Sequence, residues 1–466
     1  MGSFIYIVTA IFQILVFMLT LYYLIISFFG LYKRNEKIEY KPEKSFALVV
    51  AAHNEELVVG QIVESLKSLD YPKELYDIYV VADNCTDNTA AIARESGAIV
   101  FERFNRRKSG KGYALEWMFN KLFKMDKKYN VIAVFDADNL VSKNFLNEMN
   151  YKFQQGYKVV QGYLDSKNPS DSWITQCYSI AFWSSNRLFQ ISRQNLGLSN
   201  QLGGTGFCVD AELLKSIGWG ATCLTEDLEF TCKIVLNGEK VGWAHNAVVY
   251  DEKPLTLKQS WNQRKRWMQG YSDVATRYFF KLIAKSLKER NFAAFDCALY
   301  ILQPFVFAAL GLSILLSYLK GDGKLSANIF VMSSLFTPAL WKSYGIFQFL
   351  FTPFVMVLEK KLKKRLLLVF GLYSANVFVL DIISRMQIDR KLFIIIQISY
   401  LLFCIILAGI LNGRKSMKEF IWYLLYGLYT LTWIPISIQG IINKNNREWS
   451  HTLHTRQIKI RDLEGF

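Results

Sequence analysis

Two carboxylates one residue apart, Asp136 and Asp138, close the apolar run VIAVFDAD at 131–138. If the chain turns out of a strand there, both can reach one divalent cation such as Mg2+ or Mn2+. Such triplets also end strands without doing chemistry, so the position at the end of VIAVF is what gives this one weight. Asp83 closes a second apolar run, IYVVAD, and is followed by NCTDNT. It suits either a helix-capping carboxylate or a contact to a nucleobase. Thr225-Glu226-Asp227 precedes the helical pattern LEFTCKIVLNG, with Thr225 placed as a cap and both acids in the first turn. Gln263-Arg264-Lys265-Arg266-Trp267 follows Trp261 in a helical stretch. A guanidinium there suits a diphosphate and an indole suits a sugar ring. Arg and Trp also gather on basic faces beside membranes.

The elements around these residues alternate. Short apolar or β-branched runs at 45–51, 78–83, 98–103 and 131–138 read as strands. Helical spacing fills 55–69, which ends at Asp70-Tyr71-Pro72, and also 88–95 and 111–124. Strand–helix alternation predicts a parallel sheet with its ligands at the carboxyl ends of the strands, where Asp83 and Asp136 both lie.

The ends of the chain differ from its middle. Of 466 residues, 52% are apolar and 15% aromatic, and the acids concentrate between residues 33 and 290. That distribution predicts an α/β domain held between membrane segments. Ile5 to Phe29 reads as a retained anchor rather than a cleaved signal, and Lys33, Arg34 and Lys37 put its C-terminal end in the cytoplasm. Apolar runs recur at about 292–319, 366–384, 392–411 and 420–442. The stretch 326–358, interrupted by Pro338 and Pro353, is long for one span and short for two. Residues 274–290 mix aromatic and basic side chains and read as an interfacial amphipathic helix. The net charge of +16 fits positive-inside loops and lipid headgroups, not a nucleic-acid partner, because the basic residues flank apolar spans. Seven cysteines without metal spacing suit reduced cytoplasmic thiols.

Topology does not close on these runs. Lys360 to Arg365 should be cytoplasmic, and three further spans would then carry the basic tail outside. One segment after 326 is therefore expected to be re-entrant or interfacial. Domain boundaries fall at 1–32 (anchor), 33–273 (α/β domain), 274–291 (interfacial helix), 292–442 (membrane helices) and 443–466 (tail).

Taken together, AAHNEE (51–56), DNCTDNT (83–89), FDAD (135–138), TED (225–227) and QRKRW (263–267) resemble family 2 glycosyltransferases. Their order and spacing are similar to those of the membrane-bound branch that contains cellulose, chitin, hyaluronan and poly-N-acetylglucosamine synthases. The resemblance covers about residues 45–270 and implies an α/β GT-A, Rossmann-like catalytic domain, cytoplasmic and inserted between transmembrane helices. It implies that Ala52, Glu55 and Asp83 hold uridine, with Lys111 near the nucleotide. Asp136 and Asp138 would handle the diphosphate and a Mg2+ or Mn2+ ion, Asp138 more directly. Within the TED, Asp227 would be the general base, beside Glu226. Gln263, Arg266 and Trp267 would bind the diphosphate and cap the acceptor site. GGTGFCVD (203–210) resembles the glycine-bearing segment beside the acceptor, which brings in Gly203, Gly204 and Thr205. The tail EWSHTLHTR (448–456) resembles Trp-containing tails of some relatives, with His451 and His454 read as surface or interfacial residues rather than metal ligands.

The activity so implied is inverting transfer from a UDP-sugar, such as UDP-glucose or UDP-N-acetylglucosamine. A processive synthase that extends and secretes a glycan is the favoured form, with accessory export subunits as possible partners. Gln303, Tyr373, Asn376, Gln397, Trp422, Tyr426 and Trp433 are candidates to line its passage. The alternative is single transfer to a lipid, giving a glycolipid. A silent scaffold is disfavoured by intact carboxylates at 83, 136, 138 and 227.

Overall fold

A computed structural model describes residues 2–34, 41–220, 223–321, 328–386, 388–446, 454 and 456–464. Eight strands form one mixed sheet: β1 Phe46–Ala52, β2 Tyr76–Asp83, β3 Ile99–Arg103, β4 Val131–Asp136, β5 Leu140–Val141, β6 Val159–Ser166, β7 Phe207–Asp210 and β8 Val241–Asp251. Their order is β3-β2-β1-β4-β7-β6-β8-β5. The first four are mutually parallel, as the alternation predicts, and β7 runs antiparallel between β4 and β6. This is the expected GT-A type of arrangement, a Rossmann-like half continued by a mixed half.

Alternate residues of each central strand enter different cores. Leu48, Val50, Val80 and Phe135 pack on one face, and Val49, Tyr79, Val81 and Val134 on the other. Burial on both faces is why these strands read as continuous apolar runs, and each fully buried side chain of this size stabilises by roughly 1.5–3 kcal/mol. Register places Ala52 beside Ala82 and Ala51 beside Asp136. The carboxyl ends of β1, β2 and β4 therefore form one ledge.

Among the described residues, five stretches are long and apolar enough to cross a membrane: Ser3–Phe28, Gln303–Gly321, Leu366–Ile383, Arg390–Asn412 and Arg414–Ile442. The awkward stretch before residue 360 also resolves. Phe330 N donates to Thr9 Oγ1 at 2.9 Å, near the far end of the N-terminal helix. Helix Pro338–Leu358 then returns to the domain, where Glu359 accepts from Tyr163 OH at 2.8 Å and from Arg187 at 3.1 Å. That helix is one continuous element of 21 residues.

The last apolar segment, Arg414–Ile442, contains the span expected at 420–442 and differs from it in detail. It is two helices, Arg414–Leu431 and Trp433–Ile442, which meet the helix layer, where Tyr423 OH donates to Phe349 O at 2.6 Å, and also meet the domain. Gln176 donates to Glu419 O at 3.3 Å, Arg264 to Thr432 Oγ1 at 2.8 Å and Gln269 to Asn443 O at 3.0 Å. Two other runs also differ in detail. The stretch 292–319 breaks into Phe292–Tyr300 and Gln303–Gly321 before Pro304, and helix Leu257–Glu289 is continuous across 273–274.

Candidate active site

The ledge opens into a cavity of about 1050 Å3. Ala52, Glu55, Asp83, Lys111, Asp136, Asp138, Gly203, Gly204, Thr205, Glu226, Asp227, Gln263, Arg266 and Trp267 all line it. These donor-, metal- and acceptor-site residues singled out from the sequence thus reach one space, although they come from seven separate segments.

At the end toward β2, the Asp83 carboxylate pairs with the buried Arg103 guanidinium. Arg103 also donates to Lys108 O at 2.6 Å, and Gly110 N lies 3.4 Å from Asp83 Oδ2. Arg103 therefore fixes both the acid and the loop that leads to Lys111. His53 Nδ1 sits 2.7 Å from Asp83 O, and Asn54 and Asn84, one residue past the ends of this pair of turns, take positive φ of 55° and 52°. Asn tolerates that region better than most residues.

Asp136 and Asp138 occupy the turn after β4. Thr205 Oγ1 and Asn139 Oδ1 both accept from Asp136 N at 3.0 Å. The hydroxyl of Thr205 is thus engaged in bracing this turn. Lys111 pairs with Asp136 and donates to Gly204 O at 2.8 Å. Burial raises the Asp136 pKa while Lys111 opposes it. Burial also works against an ionised Asp138, but His454 and Lys167 outweigh it and hold that carboxyl below the usual range. Asp138 Oδ2 accepts from Glu252 N at 2.9 Å. Among the described residues, no group of three or more His, Cys, Asp and Glu side chains is arranged to hold an ion. Two oxygen-bearing side chains on one turn do fit the manner in which Mg2+ is commonly held, by one or two carboxylates plus substrate phosphates.

Asp227 lies in the first turn of helix Glu226–Leu236, where Leu228 N donates to its Oδ1 at 2.8 Å. Burial, and then the neighbouring Glu226 carboxylate, push its pKa up to about 7. Thr225 stands at the cap position, but its side chain makes no capping bond. Its hydroxyl lies where helix Leu257–Glu289 passes, and a Cβ on Gly270 would sit 2.4 Å from Thr225 Oγ1. Gly204 has φ of +84°, and a Cβ there would come 3.5 Å from Asp227 Oδ2. The glycine segment therefore borders the TED directly.

Helix Leu257–Glu289 divides the QRKRW residues between two surroundings. Gln263 accepts from Tyr178 OH, and Trp267 packs edge-on against Tyr178 with centroids 5.9 Å apart. Arg266 also lines the cavity, and its buried Nε makes no hydrogen bond among the described residues. Arg264 instead stacks on Tyr429 and Trp433, at 4.1 and 5.0 Å, and anchors the joint near Thr432.

The tail holds a residue that sequence reasoning put at the surface. His454 is 18% exposed at its side chain, lines the cavity and lies 2.9 Å from Glu55 Oε1. Despite burial, Asp138 and Glu55 raise its pKa to about 10. Arg456 N donates to Glu252 Oε2 at 2.9 Å, extending the strap. Trp449 and His451 lie outside the described residues. The sequence signal was the resemblance of EWSHTLHTR (448–456) to the tails of some relatives, and that is no guide to a contact across the fold.

The cavity continues into the helix layer. Thr20, Tyr23 and Ser27 line it from the N-terminal helix, Gln303, Val306, Phe307 and Leu310 from helix Gln303–Gly321, and Trp433 from the last segment. From 303 to 310 this depth is about 10 Å, at ~1.5 Å per residue. Residues 311–321 of that helix and 2–19 of the N-terminal one take no part, nor does any residue from 338 to 412. Of the proposed passage residues, Gln303 and Trp433 line the cavity. Tyr373, Asn376, Gln397, Trp422 and Tyr426 do not. Tyr373 packs on Phe349 with centroids 5.7 Å apart, and Asn376 donates to Gln397 at 2.6 Å.

Residues 42–270 match a family model described as "Glycosyltransferase like family 2". Over 232 residues the chain is 31% identical to a β-monoglucosyldiacylglycerol synthase of Synechocystis sp., covering 49% of this chain and 48% of that one. Over 255 residues it is 26% identical to a poly-β-1,6-N-acetyl-D-glucosamine synthase of Staphylococcus epidermidis, covering 53% and 59%. The matched stretch thus spans about half the length of these curated relatives. A mannosyltransferase from Pyrobaculum calidifontis, solved in complex with GDP-Man and Mn2+, aligns at 16% identity with a TM-score of 0.49, over 68% of this chain and 89% of that one.

Proposed function

Since residues 42–270 are a family 2 glycosyltransferase domain, we propose that the protein transfers a single sugar from a UDP-sugar to the free hydroxyl of a membrane lipid, inverting the anomeric centre. The observation that carries this reading is the shape of the cavity. Its lining joins Asp227 to the apolar helix layer as far as Phe307 and Leu310 and includes no described residue from 311 to 321 or from 338 to 412. A polymer leaving through the layer would need a lined passage to the far side, because sugar hydroxyls lose their water hydrogen bonds in hydrocarbon. A lipid needs only a recess for its chains.

The chemistry follows from the residues. Ala52, Glu55 and Asp83 bind the uridine, and Arg103 holds Asp83 in place. Lys111 and Arg266 face the diphosphate, with Gln263 and Trp267 beside the transferred sugar. Asp227 takes the proton of the acceptor hydroxyl. The hydroxyl oxygen then bonds to the anomeric carbon from the face opposite UDP, the bond from that carbon to the diphosphate oxygen breaks, and UDP leaves with the electron pair. Gly203 and Gly204 let the acceptor approach Asp227. Asp138 and Asp136 would hold a Mg2+ or Mn2+ ion, which when bound supplies positive charge to the leaving diphosphate.

The domain lies on the cytoplasmic side of a multi-pass protein in the cell membrane, as Lys33, Arg34 and the basic run 360–365 favour. A second reading, chain extension, draws support from Trp267 and Phe182, which line the same cavity as Asp227 and suit the terminal sugar of a glycan. A photoactivatable diacylglycerol tests the recess. Crosslinks at Phe307 or Leu310 that compete with unlabelled lipid support the proposal, and labelling confined to the outer helix surfaces opposes it.

A further inference from the structure

The helix-side part of the cavity contains a charged wall residue that is cancelled on the spot. Arg193 lines the cavity beside Phe189, with its guanidinium 3.5 Å from the Phe189 ring centre. Its Nε and NH2 donate to the two carboxylate oxygens of Asp296 at 2.8 and 3.0 Å. Tyr22 OH also donates to Asp296 Oδ1, at 2.8 Å. The Arg193 and Asp296 side chains are 2% and 0% exposed. Beyond this pair the wall toward the blind end is Thr20, Tyr23, Gln303, Val306, Phe307 and Leu310, with no charge among them. The cations Lys111 and Arg266 and the acids Asp136 and Asp227 of the cavity lie toward the donor end, where Lys111 and Asp136 pair with each other.

We infer that Asp296 is a specificity residue that keeps the acceptor recess electrically neutral, so that the protein selects an uncharged hydroxyl lipid of the diacylglycerol class over a lipid phosphate. This rests on the lipid-acceptor reading above. A phosphate entering the recess would be desolvated with no cation to receive it, because the one guanidinium there already makes a two-bond pair with a carboxylate. A glycerolipid hydroxyl needs no such partner, and its chains match the apolar end. The rejection of the charged analogue then comes from what the site withholds.

The test uses the full-length protein in nanodiscs of zwitterionic lipid, with UDP-glucose and UDP-N-acetylglucosamine as donors. Diacylglycerol and polyprenyl phosphate are supplied in separate reactions. Wild type is expected to glycosylate diacylglycerol and to leave polyprenyl phosphate unreacted. Asp296→Asn keeps the shape of the site but frees the Arg193 charge, and should shift the ratio toward the lipid phosphate by about tenfold or more. Wild-type use of polyprenyl phosphate at a comparable rate, or an unchanged ratio in folded Asp296→Asn, overturns the inference while leaving a lipid acceptor in place. Should that variant not fold, Leu310→Trp decides. It narrows the apolar end without adding charge, and should raise KM for long-chain diacylglycerol while UDP binding stays as in wild type. An unchanged KM removes the recess from acceptor binding. A polymer with no lipid-linked sugar would reject the lipid-acceptor reading itself, a result distinct from lipid phosphate use.

Discussion

His454 Nδ1 and Glu55 Oε1 are 2.9 Å apart although 399 positions separate them in the chain. The contact straps the C-terminal segment over the loop that follows β1, beside Asp138. If this strap completes the donor site, His454→Ala should weaken UDP binding on the order of tenfold, about 1.4 kcal/mol, and Glu55→Gln should weaken it less. Calorimetric titration of UDP checks this. Wild-type affinity in His454→Ala would remove the tail from the donor site.

The pH profile should report Asp227. Its pKa is pushed up to about 7 by burial and by Glu226, and only the ionised form can accept a proton. Activity should therefore be lost as pH falls through about 7 and level off above it. Asp227→Asn should lower turnover on the order of 10²-fold or more while UDP still binds. A flat profile between pH 5.5 and 8, with near-normal turnover in the variant, would assign the base elsewhere.

Divalent metal should be required. Asp138 is held ionised by His454 and Lys167 against the cost of burial, which suits an oxygen ligand. Removing Mg2+ and Mn2+ with chelator and substituting Asp138→Ala should each abolish transfer, and excess Mn2+ should restore only the wild type. Full activity in chelator would contradict the metal assignment.

Packing of the TED against the QRKRW helix depends on Gly270. A Cβ there would meet Thr225 Oγ1 at 2.4 Å and Thr225 Cβ at 2.8 Å. Gly270→Ala should cost about 1–3 kcal/mol through overpacking and lower activity by displacing Asp227. Thermal unfolding of the purified protein measures the first effect, and an unchanged Tm would mean the helix can shift away freely.

Much of this was legible in the sequence for local reasons. Val49, Val80 and Val134 sit in short apolar runs whose period and length specify buried strands, and the acids Asp83 and Asp136 end those runs. Their convergence follows once the strands are parallel. Arg103 and His454 were not legible, because an Arg at a strand end and a His in a polar tail acquire roles only when distant segments close on them. The anchoring of 414–442 to the domain was hidden for a different reason. Arg264, which holds it through Tyr429 and Thr432, sits inside a motif that reads as substrate-binding.

The most direct test is the product. The purified chain, reconstituted in vesicles containing diacylglycerol, is given radiolabelled UDP-glucose or UDP-N-acetylglucosamine with Mn2+, and the label is separated into lipid and aqueous phases. The account predicts one β-linked sugar per lipid in the organic phase, absent in Asp227→Asn. A long water-soluble glycan made without lipid-linked sugar would contradict it.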